Sequence, residues 1–174
     1  IIKEKLPDLS ENLLLRRIMF INALILLSYG VPFFHMGQEY GQTKYGHENS
    51  YNAGDHYNML DYQLRDSRIA MVDYFKELTK LRKMMKFFFE LPKHEMLRQT
   101  TFEEFGVSAL KITTIHKAIR YEVLINPALE AATTMLHQSM PLFVENGFVK
   151  RKNLVSGAFT LKGISVAVFK TALK

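Results

Sequence analysis

Residues 30–40 have the sequence GVPFFHMGQEY, which ends one apolar segment and starts another. Gly30 and Pro32 stop a helix, because glycine favours the C-terminal cap and the residue before proline disfavours helical geometry. Residues 31–36 are then mostly apolar and of strand length, as in parallel strands that are covered on both faces. A helix followed by such a strand is the step of an α/β array. Because one strand cannot form a sheet, we expect its neighbours outside this chain or in a second copy.

The sequence before this stretch predicts a helix over about residues 11–29, with Asp8 or Ser10 as its N-cap. Residues 18–34 are nearly all apolar, but Asn22 interrupts them. A membrane-spanning helix needs about 20 apolar residues. We therefore predict a buried helix and no membrane partner.

The sequence after this stretch changes texture twice. Residues 37–66 show neither helical nor strand periodicity and are rich in Gly, Asn, Tyr, Asp and His, which is typical of a functional loop. Apolar residues at helical spacing return at Ser67 and predict an amphipathic helix that Leu91-Pro92 closes. From about Glu95, short β-branched and aromatic runs alternate with turn residues, which predicts an antiparallel β-sandwich.

Composition excludes several classes of function. The 174 residues include no cysteine, so disulfides and thiolate zinc sites are absent. The net charge of +6 is compatible with nucleic-acid binding, but the basic residues form only short, distant clusters and no recognition motif is present. We predict no nucleic-acid partner and no cofactor. His35, His47 and His56 have spacings that fit no compact metal site, and His35 is expected in a core.

Residues 30–40 resemble the eighth barrel strand of the α-amylase clan, glycoside hydrolase family 13. Residues 44–55, KYGHENSYNAGD, resemble the loop that follows this strand in type I pullulanases, and residues 58–62, NMLDY, are similar to the family's N-x-L/I-D-W pattern. The helix around residues 72–83 is similar to the final barrel helix. Gly54, where many type I pullulanases have proline, and Tyr62, in place of tryptophan, depart from the pattern.

The resemblance implies an α+β chain in two parts. Residues 1–94 would be the C-terminal end of a (β/α)8 barrel catalytic domain, a helix-strand-loop-helix unit with its last strand at about 31–36 and its last helix at about 67–86. Residues 95–174 would be a C-terminal antiparallel β-sandwich domain. The start at Ile1, without an initiator methionine, leads us to expect a longer parent protein, whose localisation the sequence leaves open.

The resemblance also implies hydrolysis of α-1,6-glucosidic bonds in starch, glycogen or pullulan by a retaining mechanism. Retaining glycosidases use two carboxyl groups about 5–5.5 Å apart, which in this clan sit on earlier barrel strands. No segment here resembles those motifs, so we predict no catalytic residue and no activity for this chain alone. Glu39 and Asp61 are expected to tie and cap their loop rather than to catalyse.

Sugar-binding groups are concentrated in the predicted loop. Carboxylates and amides hydrogen-bond sugar hydroxyls, and aromatic rings lie under sugar rings. By resemblance, the loop lines the glucan cleft. The predicted substrate-binding residues are Asn49, Tyr51, Asn52, Asp55, Tyr57 and Asn58.

Two alternatives stay open: another enzyme of the clan, such as an isoamylase or α-glucosidase, and a non-catalytic carbohydrate-binding or interaction module. The expected partners are an α-glucan, bound through the parent enzyme, and the parent's N-terminal barrel. Without that barrel, the apolar unit at residues 11–36 is expected to cause self-association, while the sandwich folds by itself.

Overall fold

The computed structural model describes residues 7–145, 147–149 and 153–173, and the fold is α+β. Within these ranges the helices are α1 (Glu11–Leu27), α2 (Asp55–Asn58), α3 (Tyr62–Ser67), α4 (Ile69–Met84), α5 (Phe87–Glu90) and α6 (Lys93–Arg98), with a 3-10 turn at Gln38–Tyr40. The strands are β1 (Thr100–Phe105), β2 (Ala109–His116), β3 (Ile119–Asn126), β4 (Ala132–Val144), β5 (Gly147–Phe148), β6 (Val155–Leu161) and β7 (Ser165–Ala172). No helix among the described residues has the length and hydropathy needed to cross a membrane.

Helix α1 begins where the sequence predicts. The backbone N–H of Leu13 donates to Ser10 Oγ at 3.3 Å, so Ser10 rather than Asp8 is the N-cap. Asn22 is buried in the middle of the helix. Its Oδ1 accepts a hydrogen bond from Gln38 Nε2 at 2.9 Å, and its Nδ2 donates to the backbone carbonyl of Gln38 at 3.3 Å. The polar residue that interrupts the apolar run thus ties the helix to the 3-10 turn.

The seven described strands form an antiparallel arrangement with the order β1-β2-β3-β7-β4-β5, and β6 pairs with β4. Strand β3 is central, pairing with β2 from Leu110↔Ile125 to His116↔Ile119 and with β7 from Ile119↔Ala172 to Asn126↔Ser165. Side chains alternate between two faces along each strand. On β7, Val166 and Val168 belong to one core and Ala167 and Phe169 to another.

Strand β4 connects two layers, because its register shifts between Leu136 and Ser139 and again between Pro141 and Phe143. Its first half pairs with β6, and its second half pairs with β7 in the main sheet. The predicted antiparallel strands are therefore present, as a main sheet with the β4–β6 pair against one of its faces. The β4–β6 pair covers one face of the sheet, around Phe169 and Leu161, whereas the helices cover the other.

Helices and sheet share the larger core. Phe20 and Leu26 of α1 and Leu78 and Leu81 of α4 cluster with apolar side chains of the sheet, and Leu78 and Leu81 are fully buried. The further sheet members of this core are Tyr121, Val123, Leu142, Phe143, Ile164, Val166 and Val168. The helical unit thus finds much of its cover within its own chain. The division near residue 94 stays a prediction about the parent protein.

Residues 31–35 pair with no strand among the described residues, so the strand expected at 31–36 is not formed here. Val31 and Phe33 are 95% and 86% exposed, and only Phe34 turns inward, with its ring 4.8 Å from that of Phe75. His35 is exposed too, which corrects the expectation of a core histidine. The physical reason is simple: a strand needs edges to pair with, and this segment meets none.

Candidate functional site

The candidate site is the loop over residues 41–61, and its base is fixed by helices α1 and α4. Tyr40 is 2% exposed, and the Arg68 guanidinium donates to the carbonyls of Tyr40 and Gly41 at 3.1 and 3.3 Å. A second nitrogen of Arg68 lies 3.2 Å from a carboxylate oxygen of Glu11. Gly37 and Gly41 have φ of 86° and 72°, a region that favours glycine. The chain therefore enters the loop from a rigid point.

Asn58 closes the loop on itself. Its Oδ1 accepts from Lys44 Nζ at 3.0 Å and from Ser50 Oγ at 2.9 Å. Its Nδ2 donates to the carbonyls of Ser50 and Gly54 at 2.6 and 3.1 Å. Both donors and the oxygen of this amide are already used. Asn58, predicted as a sugar contact, is thus placed as the residue that shapes the loop.

Four aromatic rings pack at one end of the loop. The Tyr45 and His56 rings are stacked with centroids 5.4 Å apart and 9° between their planes. Tyr57 contacts His47, His56 and Tyr45 with centroid distances of 4.8, 5.0 and 6.4 Å. Tyr57, also a predicted sugar contact, is half-buried in this cluster. The described residues contain no group of three metal-ligating side chains.

The other four predicted residues remain accessible. Within the described part of the chain, the side chains of Asn49, Tyr51, Asn52 and Asp55 are exposed and make no hydrogen bond or ion pair. Tyr51 is 81% exposed. Asp55 starts the single turn α2, directly after Gly54 with φ of 83°. The loop therefore offers a carboxylate, two amides and an aromatic ring to a ligand. The structure brings them onto one loop and does not show that they converge.

Two further carboxylates have separate outcomes. Asp61 caps α3, because the Leu64 N–H donates to Asp61 Oδ1 at 2.8 Å, as expected from the sequence. Glu39 was expected to tie the loop through hydrogen bonds. Its side chain makes none with any residue that the structure describes, so that expectation is not met within the described part of the chain.

Arg82, on α4, was missed by sequence reasoning although it holds the start of segment 31–36. Its guanidinium donates to the carbonyls of Leu26, Ser28 and Gly30 at 2.6, 2.8 and 2.6 Å, which are orphan acceptors at the end of α1. Burial lowers the pKa of Arg82, but a guanidinium stays charged because its ordinary pKa exceeds 12. Nothing in the local sequence pairs these positions, which are more than 50 residues apart.

No protein-family model matches the chain. The chain is 42% identical over 78 residues to the pullulanase of Bacillus subtilis (strain 168), which covers 45% of this chain and 11% of that protein. It is also 34% identical over 68 residues to isoamylase 3, chloroplastic, of Oryza sativa subsp. japonica, covering 38% of this chain and 9% of that protein. The chain is pullulanase-like.

Solved pullulanase structures share the fold of this chain. The pullulanase from Bacillus acidopullulyticus superimposes with a TM-score of 0.90 at 24% identity, over 98% of this chain and 22% of that one. Pullulanase type I from Bacillus subtilis str. 168, complexed with maltose, gives a TM-score of 0.86 at 25% identity, over 96% of this chain and 25% of that one. The chain matches the C-terminal part of a pullulanase and spans at most a quarter of these solved relatives.

Proposed function

We propose that this chain is the C-terminal part of a debranching enzyme that hydrolyses α-1,6-glucosidic bonds of starch, glycogen or pullulan by a retaining mechanism. The observation that carries the proposal is the 42% identity over 78 residues to the Bacillus subtilis pullulanase. The maltose complex of the solved relative supports an α-glucan as the ligand class. The catalytic carboxylates then belong to other parts of the parent enzyme, and this chain alone is inactive.

In this proposal residues 31–36, with helices α1 and α4, complete the parent's barrel. Two features support that placement. Val31 and Phe33 expose apolar side chains that a neighbouring strand and helix would cover. Arg82 holds Gly30 in a fixed position, so segment 31–36 leaves the folded part of the chain at a defined point.

The proposed role of the 41–61 loop is to contact the glucan near the scissile bond. Asp55, Asn49, Asn52 and Tyr51 are exposed and unengaged within the described residues, whereas Asn58 and Tyr57 are engaged by their own loop. We therefore assign ligand contact to the first four and loop shape to the last two. Asp55 is the strongest contact, because a carboxylate makes charge-assisted bonds to hydroxyl groups.

A chimera tests the proposal: this chain replaces the matching C-terminal part of the Bacillus subtilis pullulanase. The chimera should release reducing sugar from pullulan, and this chain alone should release none above background. Activity of this chain alone, comparable with that of a debranching enzyme, would overturn the fragment assignment. A chimera that folds but hydrolyses only α-1,4 bonds would favour a different member of the clan.

Asp55→Ala tests the loop in the same chimera. Loss of one or two charge-assisted hydrogen bonds should lower kcat/KM on pullulan about ten- to a hundred-fold, with no change in melting temperature. Glu48→Ala, an exposed loop carboxylate outside the proposed contacts, is the matched control and should stay at wild-type activity. If Asp55→Ala lowers the melting temperature and leaves kinetics unchanged, Asp55 is structural.

An isoamylase-type debranching activity is the second candidate, because this chain is also 34% identical over 68 residues to isoamylase 3. Comparing chimera rates on pullulan and on glycogen separates the two activities. The binding-module alternative requires glucan affinity in this chain alone. Titration of the chain with maltohexaose in the millimolar range, with and without Asp55→Ala, measures that affinity directly.

A further inference from the structure

A cleft of about 240 Å³ lies at the junction of helices α1 and α4 with the sheet, away from the 41–61 loop. Its volume exceeds the roughly 150 Å³ that admits a benzene ring into a protein cavity. The residues that line it are Arg16, Met19, Phe20, Tyr74, Glu145, Lys162, Ile164 and Ser165. A six-membered ring therefore fits the space, and the lining combines apolar surface with charge.

Tyr74 gives this cleft its most informative feature. The side chain is 5% exposed, its ring packs edge-on against Phe143 at 5.5 Å, and its hydroxyl bonds no residue that the structure describes. The buried, unpartnered polar atoms of the described residues do not include this oxygen, so the hydroxyl keeps access to the cleft although the ring is buried. Burial also raises the Tyr74 pKa, so the hydroxyl is neutral and can both donate and accept.

The charged groups of the cleft can make further hydrogen bonds. Arg16 donates one N–H to the Gly163 carbonyl at 2.6 Å, out of five that a guanidinium carries. Glu145 accepts from Lys162 Nζ at 2.9 Å through Oε2, which leaves Oε1 without a partner among the described residues. Donors and acceptors thus occur together beside the apolar side chains of Met19 and Phe20.

The backbone around the cleft is held in an unusual conformation. Glu145 and Ile164 have φ of 55° and 48°, a left-handed region that is unfavourable for a branched side chain. Buried Asn126 fixes the turn before Ile164, because its Nδ2 donates to the carbonyls of Leu161 and Lys162 at 3.3 and 3.2 Å. Strain of this kind persists where surrounding structure fixes it and is common in ligand-binding regions.

We propose that the cleft between α1, α4 and the start of β7 binds one hydroxylated six-membered ring, such as a glucosyl unit of an α-glucan. The mixed donors, acceptors and apolar faces suit a neutral polyol. Lys162 is paired with the Glu145 carboxylate, so the cleft presents both signs of charge and is not a purely cationic site. The choice of a glucosyl ring rests on the proposed function, whereas the polyol chemistry rests on the cleft itself.

The test uses the full chain, titrated with maltose to tens of millimolar and followed by amide chemical shifts. Tyr74→Phe keeps the ring and removes only the hydroxyl, so maltose affinity should fall about five-fold, as for one neutral hydrogen bond. Its melting temperature should not fall, since the hydroxyl has no partner to lose among the described residues. Tyr29→Phe is the matched control: its hydroxyl lies 2.7 and 2.6 Å from Thr100 Oγ1 and Thr114 Oγ1, so stability should fall and maltose affinity should not.

Two results would overturn the proposal. The first is no maltose-dependent shift near Tyr74 and Glu145, and the second is a Tyr74→Phe variant with unchanged affinity. The result is independent of the debranching assay, because Asp55→Ala should leave maltose binding in this cleft unchanged. A chimera that hydrolyses pullulan while the cleft stays empty would reject this inference alone.

Discussion

Similar apolar side chains are buried in one region of the molecule and exposed in another. The first region is the β-sheet, and the second is the segment that comprises residues 31–36 with the 41–61 loop. Val166, Val168 and Phe169 on β7 are fully buried, because helices cover one face of the sheet and the β4–β6 pair covers the other. Val31 and Phe33 are almost fully exposed. The difference shows that other elements of this chain cover the sheet, whereas Val31 and Phe33 leave apolar surface exposed to solvent.

The largest expected effect comes from the sheet. Phe169→Ala should lower the free energy of unfolding by about 3–5 kcal/mol, because it removes a fully buried ring that packs against Phe159 and leaves a cavity. Tyr51→Ala, in the exposed loop, should change it by less than about 0.5 kcal/mol. Urea denaturation measures both. Equal losses for the two variants would show that the loop is as integral to the fold as the sheet.

Arg82→Met probes the junction between the two regions. It leaves three carbonyls at the end of α1 without their donor and should cost about 3 kcal/mol. Arg82→Lys should recover only part of this, since an ammonium cannot reproduce the guanidinium fork. Arg65→Met is the control: Arg65 pairs with Asp66 on the surface, and its replacement should leave the free energy of unfolding nearly unchanged. If Arg82→Met unfolds no more easily than Arg65→Met, the cap is dispensable.

The exposed segment should make the chain self-associate through residues 11–36 at tens of micromolar, as unpaired strand edges do. Sedimentation velocity should show that Val31→Ser combined with Phe33→Ser shifts the chain to monomer. Val107→Ser is a matched control, because Val107 is 93% exposed in the β1–β2 turn, outside this segment. A wild-type chain that is already monomeric would mean that the exposed side chains do not drive self-association.

The smallest expected effect is a loss of stability in acid that arises at the β2–β3 turn. Lys117, and after it His116, lower the pKa of Glu90 to about 2, with both nitrogens 2.7 Å from its Oε2. An unfolded glutamate has a pKa near 4.3. The stabilisation is therefore complete above about pH 4.3 and is lost as the pH falls toward 2. Melting temperatures from pH 2 to 6 should show a shallower acid loss for Glu90→Gln, and no change for Glu104→Gln, which is exposed.

The two long helices and the antiparallel strands were predictable, because periodicity and turn residues are local. The helix predicted at residues 67–86 spans Ile69–Met84, and the one predicted at 11–29 spans Glu11–Leu27. Where the sequence predicts short strands, the structure has one long strand β4 of 13 residues. Two register shifts let this strand serve both layers, and no local pattern encodes such a change of partner.

The site was predictable as a loop and as a set of residue types, but not in the roles of its members. Asn49 and Asn58 look alike in the sequence, yet one is exposed and unengaged while the other holds the loop together. The difference depends on Lys44 and Ser50 reaching the same amide. Such convergence is a property of the folded loop, and spacing alone does not reveal it.

By itself, the sequence determined the two long helices, the antiparallel strands after about Glu95 and the likeness to pullulanases. Only the tertiary structure decided that Ser10 rather than Asp8 caps α1, that Arg82 caps a helix more than 50 residues away, and that Tyr74 lines a cleft beside Arg16 and Glu145. The physical reason is that periodicity and capping act over a few residues. Burial and hydrogen-bond satisfaction depend on which distant segments the fold brings together.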